Sequence, residues 1–269
     1  MVGHGMHKKP STIEILFIPA FFLLILYPIC AILFHLTPEG IVTTISDPLF
    51  WSSFKNTLIT AFGAAILATL LALGFGYYHM FNRDSIMYRI ADLFNDLPIA
   101  LPHTVAGLAL LLAFGRKAFG FAGSTGLAFT VLAVTLAMFF VSYPLAARTI
   151  ASSVDEIDRE IIDVARTLGD SEGKAYVRIV LPLLGESLIS SMVLCFSRSL
   201  SEFAAVIMFG GNVPGMTQVL ASYVFTKVEE GQIDAAVSAS AFCILLSIML
   251  VIILRILTRR RHVRGRKPA

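Results

Sequence analysis

Long apolar runs alternate with short polar stretches along nearly the whole chain, and that alternation is the first thing the sequence specifies. A hydrocarbon core about 30 Å thick takes roughly 20 apolar residues per helix. Six stretches meet this, near 13–36, 52–80, 98–115, 127–150, 183–209 and 235–258. The pattern predicts an all-α polytopic membrane protein with six transmembrane helices, organised as one domain over 1–269. The first run is too long for a signal-peptide core and no small-residue cleavage site follows it, so it reads as a retained span. The third, PIALPHTVAGLALLLAFG, is short and carries Pro98 and Pro102. Proline removes an N–H and restricts the residue before it, so the start of this span is either re-entrant or simply kinked.

Composition agrees with the pattern. Hydrophobic residues make up 57% of the chain and charged residues 14%. Soluble domains hold about 45–50% and about 25%, so an ordinary soluble fold is excluded. The net charge of +3 does not point to nucleic acid, because the basic residues cluster at the ends of apolar runs. Their distribution predicts orientation. Lys8, Lys9, Arg83, Arg89, Arg148, Arg159, Arg166, Lys174, Arg178 and the basic tail from Arg255 to Lys267 share the side of the termini. Opposite them stand Lys55, Arg116, Lys117 and Lys227. Both termini are therefore expected in the cytoplasm, with the tail RRRHVRGRK as an anchor against anionic lipid. Cys30, Cys195 and Cys243 all fall in apolar segments without paired spacing and read as packing residues.

Catalytic signatures are missing. GFAGSTG at 120–126 lacks the Gly-Lys-Ser/Thr ending of a phosphate loop, and Gly173-Lys174 is followed by Ala175. The histidines and cysteines make no zinc-like spacing, and no Gly-x-Ser-x-Gly elbow occurs. An ATP-driven process would need its ATPase on another chain. Within the spans, Ala64, Ala68, Ala72 and Gly76 form a stripe of small residues suited to close helix packing. Arg198 and Glu202 lie four residues apart in the fifth span, on one helical face. Intramembrane charges are costly and mark functional positions. The pair reads either as mutual neutralisation within the bundle or as contact with a passing solute.

The longest polar insert, 152–182, reads as a helix–turn–helix elbow. Ile157, Ile161, Val164, Ala165 and Leu168 share a stripe, and Asp155 and Glu156 suit a helix start. Gly169 is placed to end the first helix, Asp170 or Ser171 to cap a second, and Pro182 to bend the chain at Leu181. Here a resemblance enters. Asp163-Val164-Ala165, three residues, Gly169, nine residues, then Ile179, Leu181 and Pro182 keep the spacing of the Glu-Ala-Ala…Gly…Ile-x-Leu-Pro motif. The chain thus resembles permease subunits of binding-protein-dependent ABC importers. Asp for Glu and Val for the first Ala are its departures. FSRSLSEFAAVIMFGGNVPGMTQVL at 196–220 resembles a block of molybdate, tungstate and sulfate permeases, matching at Arg198, Leu200, Glu202, Phe203, Gly211, Asn212 and Pro214. Ser201 and Ala204 replace its glycines.

The resemblance implies a MetI-like fold and a homodimer of two permease copies. It also implies two ATPase subunits, which hold the ATP and Mg, and an external oxyanion-binding protein; no cofactor is expected in this chain. Asp163, Val164, Ala165, Arg166, Thr167, Leu168 and Gly169 would meet the ATPase. Arg198 and Glu202, with Ser201, Asn212, Pro102 and His103, would line the pathway for molybdate or tungstate. Sulfate is the alternative solute, and a self-powered secondary transporter the alternative mechanism.

Overall fold

The computed structural model describes residues 12–115 and 126–264. Arg116, Lys117, most of GFAGSTG and the chain beyond Arg264 lie outside them, and the side chains of the basic tail are not described. Every regular element among the described residues is helical. In chain order they are α1 (Leu16–Phe34, with a π turn at Phe22–Leu26), α2 (Pro38–Ser46), α3 (Pro48–Phe81), α4 (Ile86–Asn95), α5 (Leu97–Ala100) and α6 (His103–Phe114). After them come α7 (Val131–Asp155), α8 (Arg159–Thr167), α9 (Glu172–Leu183), α10 (Gly185–Leu200), α11 (Ala204–Gly210), α12 (Leu220–Glu229) and α13 (Ile233–Arg264). Four helices are individually long and apolar enough to cross a membrane, and two bent pairs bring the number to six if each counts as one span.

The centre of the molecule is the pairing of α3 with α7, against which α10 packs. Ala64, Ala68 and Ala72 are fully buried. A Cβ at Gly76 would come within 2.7 Å of Ile150 Cγ2 on α7. The small-residue stripe therefore lets these two backbones approach, and dispersion between close helices holds them where lipid offers no hydrophobic drive. Both helices start from side-chain caps. Asp47 accepts the Leu49 N–H at 2.8 Å, and Thr130 accepts the Ala133 N–H at 3.1 Å. α1 meets α13 through its Tyr27–Phe34 part, and most of its remaining surface is exposed to what would be lipid.

Three details depart from the sequence expectation. Residues 183–209 do not form one helix. α10 stops at Leu200 and α11 begins at Ala204, because the Glu202 carboxylate accepts the Ala205 N–H at 3.0 Å and starts a new helix there. Asp155 closes α7 rather than opening the elbow; the cap of α8 is Asp158, which accepts the Glu160 N–H at 3.0 Å. Pro182 sits inside the second limb, where a π turn over Tyr176–Val180 precedes it, and the 72° bend falls between α9 and α10 at Leu184. In the third span the chain breaks at Leu101-Pro102, and the segments on either side, Ile86–Ala100 and His103–Phe114, are inclined by 118°. That is far beyond a simple proline kink.

Candidate functional site

Two helix breaks meet, and side chains from each form one charged group. α6 starts at His103 immediately after Pro102, and α10 ends two residues past Arg198. Arg198 Nη2 donates to Glu202 Oε2 at 3.1 Å and lies 2.9 Å from His103 Nε2. His103 Nδ1 is 3.1 Å from the same Glu202 oxygen. One tautomer satisfies both contacts, with Nδ1–H donating to Glu202 and Nε2 accepting from Arg198. Ser201 closes the group: its hydroxyl donates to the Arg198 carbonyl at 2.9 Å and accepts from Arg198 Nη1 at 3.2 Å.

The accessibility of these groups is unequal. Glu202 is fully buried, with one oxygen spent on Arg198 and His103 and the other on the Ala205 N–H. The Arg198 side chain keeps 24% of its surface and that of His103 35%. A buried carboxylate so fully engaged holds its neighbours in place, while the guanidinium and imidazole remain open to an approaching group. Ser201 also borders an apolar cavity of about 340 Å³, together with Leu200, Leu220, Val224 and Cys243. Asn212 does not join this cluster. It adopts φ 48° and donates to Thr226 Oγ1, in a second polar group where Gln218 also reaches Thr226 and accepts from Ser53.

At the far end of α3, the elbow is built by local chemistry. α8 ends in a Schellman turn: Asp170 N–H donates to the Ala165 carbonyl, Gly169 N–H donates to the Arg166 carbonyl, and Gly169 takes φ 99°. Ser171 then caps α9 by accepting the Lys174 N–H. Ile162 and Ala165 are buried in the cluster that also holds Met80. Ile161, Val164 and Leu168 point outward, Leu168 with 84% of its surface exposed. Asp163 and Arg166 line a small cleft beside Phe81 with Arg159 and Glu172, and Arg166 pairs with Glu172 at 3.2 Å across the turn. The Thr167 hydroxyl donates back to the Val164 carbonyl. The elbow thus has one face fixed to the bundle and an apolar outer ridge left uncovered among the described residues.

Sequence reasoning passed over other contacts. Arg148, read as a topological charge, donates to Asp96 through Nε at 2.9 Å and Nη2 at 2.6 Å, and to Asp92 through Nη1 at 2.6 Å. It ties α7 to the segment that precedes the Pro102 break. Two carboxylates four residues apart were the available signal. Arg83 and His79 meet Asp155 nearby. Near the start of α3, Asp47 accepts from Leu49 N–H and the Tyr223 hydroxyl and faces Lys227 at 3.4 Å. Burial works to raise its pKa, but the two hydrogen bonds and the Lys227 ammonium together hold it below the usual carboxylate value.

Known proteins place this geometry in context. Residues 68–263 match the family model described as the inner membrane component of binding-protein-dependent transport systems. The probable transport system permease protein NifC of Clostridium pasteurianum is 31% identical over 238 residues, 87% of this chain and 82% of that protein. The sulfate transport system permease protein CysT of Escherichia coli K12 is 30% identical over 248 residues, 88% of each. In fold, the chain matches one of a bacterial alginate ABC transporter solved with an alginate pentasaccharide-bound periplasmic protein, at TM-score 0.71 and 16% identity over 91% of this chain and 92% of that one. It also matches a chain of the MetNI methionine ABC transporter in an inward facing conformation, at TM-score 0.53 and 17% identity over 83% of this chain and all of that one. The MetI-like helical fold and the non-catalytic role follow, and the chain belongs to the binding-protein-dependent transport family as an integral membrane permease subunit of an ABC importer.

Proposed function

We propose that this permease carries a tetrahedral oxyanion, molybdate or tungstate, past the Arg198–His103–Ser201 group at the junction of its two broken helices. The observation that carries the reading is the partly exposed Arg198 guanidinium, held in place by a fully buried Glu202. An arginine fork matches the oxygens of such an anion, and the Glu202 contact keeps its desolvation tolerable in the absence of solute. Asn212, tied to Thr226 away from this group, would act on the pathway only from its own loop.

In this reading two copies of the chain enclose the pathway, both termini face the cytoplasm, and an external binding protein delivers the solute. Two ATPase subunits, carrying ATP and Mg, dock on the outer ridge of the elbow around Asp163–Gly169. Closure of the ATPases moves both elbows, and the rigid bundle turns with them from inward- to outward-facing.

The relatives named for sulfate transport support a second reading, sulfate as the solute. Uptake assays separate the two. Permease, ATPase and binding protein from the same transport system, reconstituted in vesicles, should accumulate molybdate or tungstate on ATP addition, with sulfate a weak competitor. Uptake of sulfate alone would replace the first reading by the second, and uptake of no oxyanion would sink both. Exchanging the charges in a double Arg198→Glu, Glu202→Arg variant tests the site itself. Direct solute contact predicts loss of uptake with the protein still folded, whereas recovered uptake would reduce Arg198 and Glu202 to a balancing pair.

A further inference from the structure

Tyr176 is the residue through which the second limb of the elbow grips α3. It opens the π turn of α9 and retains only 6% of its surface. Its ring stands edge-on to Tyr77, with centroids 5.4 Å apart, and meets Phe81 at 6.4 Å. The hydroxyl donates to the Leu73 main-chain carbonyl at 2.8 Å, a contact between residues 103 positions apart. Room for it comes from Gly76, where a Cβ would lie 3.0 Å from the Tyr176 oxygen. Leu73, Gly76, Tyr77 and Phe81 fall on one side of α3 at helical spacing, so a single side chain spans about two turns of that helix.

We infer that Tyr176 is a positioning residue for energy coupling. Its hydroxyl pins α9 to a fixed height on α3, so that displacement of the elbow carries α3 along instead of letting the limb slide past it. Apolar packing alone would permit such sliding, because edge-on rings and aliphatic surfaces hold area more than register. A hydrogen bond to one carbonyl fixes the register, and the burial of Tyr176 limits the access of water that could replace it. The inference rests on the elbow being the ATPase-docking surface.

The test uses the assembled complex of permease, ATPase and binding protein in vesicles. Tyr176→Phe keeps the ring and removes the donor. The expected result is normal assembly and ATP hydrolysis with molybdate imported per ATP reduced about fivefold, the effect of one lost hydrogen bond on a conformational equilibrium. Replacing Tyr176 by 4-aminophenylalanine, which retains a donor, should restore the ratio, while the O-methyl ether of tyrosine should not. A purely structural role would instead lower assembly, hydrolysis and uptake together. An unchanged ratio in Tyr176→Phe would overturn the inference.

A second readout needs no solute. Tyr78 is exposed on α3, and a label on Tyr78→Cys should report an ATP-dependent change of environment that Tyr176→Phe diminishes. Should the wild-type complex take up no oxyanion, the proposed solute fails while this signal still decides the role of Tyr176. If ATPase binding itself is indifferent to the elbow ridge, the docking premise fails instead.

Discussion

The elbow and the helix-break junction solve opposite problems. In the elbow, each turn is closed by a residue a few positions away: Asp158 on Glu160, Gly169 on Arg166, Ser171 on Lys174. In the junction, His103 and Arg198 meet from 95 positions apart, and a buried carboxylate both balances charge and starts a helix. Local closure makes a part that keeps its shape while the surroundings move. Long-range closure makes a part whose shape depends on how the surroundings sit. A device that receives force suits the first arrangement, and one that responds to conformation suits the second.

Changes at the two places should therefore have different signatures. The largest effect is expected at Glu202. Glu202→Ala strips Arg198 of its carboxylate and leaves the Ala205 N–H without its acceptor, so unfolding in detergent should be easier by about 3–5 kcal/mol. A variant of wild-type stability would show that the junction tolerates an unpaired arginine and that the contrast is false. Next comes Gly169→Val. A β-branched residue at φ 99° is strained by about 1–3 kcal/mol, yet the bundle lies elsewhere. Membrane insertion should persist while ATPase co-purification drops, and equal loss of both would merge the elbow with the core.

A smaller effect is expected at Arg148→Ala. Its partners keep more than a third of their side-chain surface, so stability should fall by only about 1 kcal/mol. The more telling measurement is cross-linking between α4 and α7, which should become slower if Arg148 holds the approach to the Pro102 break. The smallest concerns pH. Because the folded-state pKa of Asp47 is depressed, its contribution is complete above the unfolded value of about 3.9 and disappears as pH falls through the folded one. Wild-type protein should lose more stability across that acid window than Asp47→Asn, and parallel acid curves would remove Asp47 from the account.

Legibility in the sequence followed the same divide. The elbow ends were readable because caps and a left-handed glycine leave their mark within four or five residues. Even there, Asp155 was misplaced, since its partners Arg83 and His79 lie more than seventy positions earlier. Apolar length located the spans, but not the break at Ser201, because SRSLSEF has ordinary helix-forming residues and the cause is where the Glu202 side chain turns. Pro102 marked a distortion without saying how large. The Arg148 clamp and the Tyr176 grip left only faint traces: two aspartates at one helical spacing, and an aromatic residue in a polar insert.

The length of α3 has a consequence for sidedness. Its 34 residues extend about 50 Å, which exceeds a hydrocarbon core of about 30 Å even with ordinary tilt. Lys55 is exposed two turns from the start, and an exposed ammonium is unwelcome in hydrocarbon, so the surplus belongs at the Asp47 end. The first turns of α3, the loop tied to Asn56 and the Asp47–Lys227–Tyr223 cluster then form a rim standing in water, opposite the elbow. Asp47 would consequently sense the proton concentration of one compartment alone. In sealed vesicles, acidifying one side should reproduce its entire acid response, and acidifying the other should leave it silent.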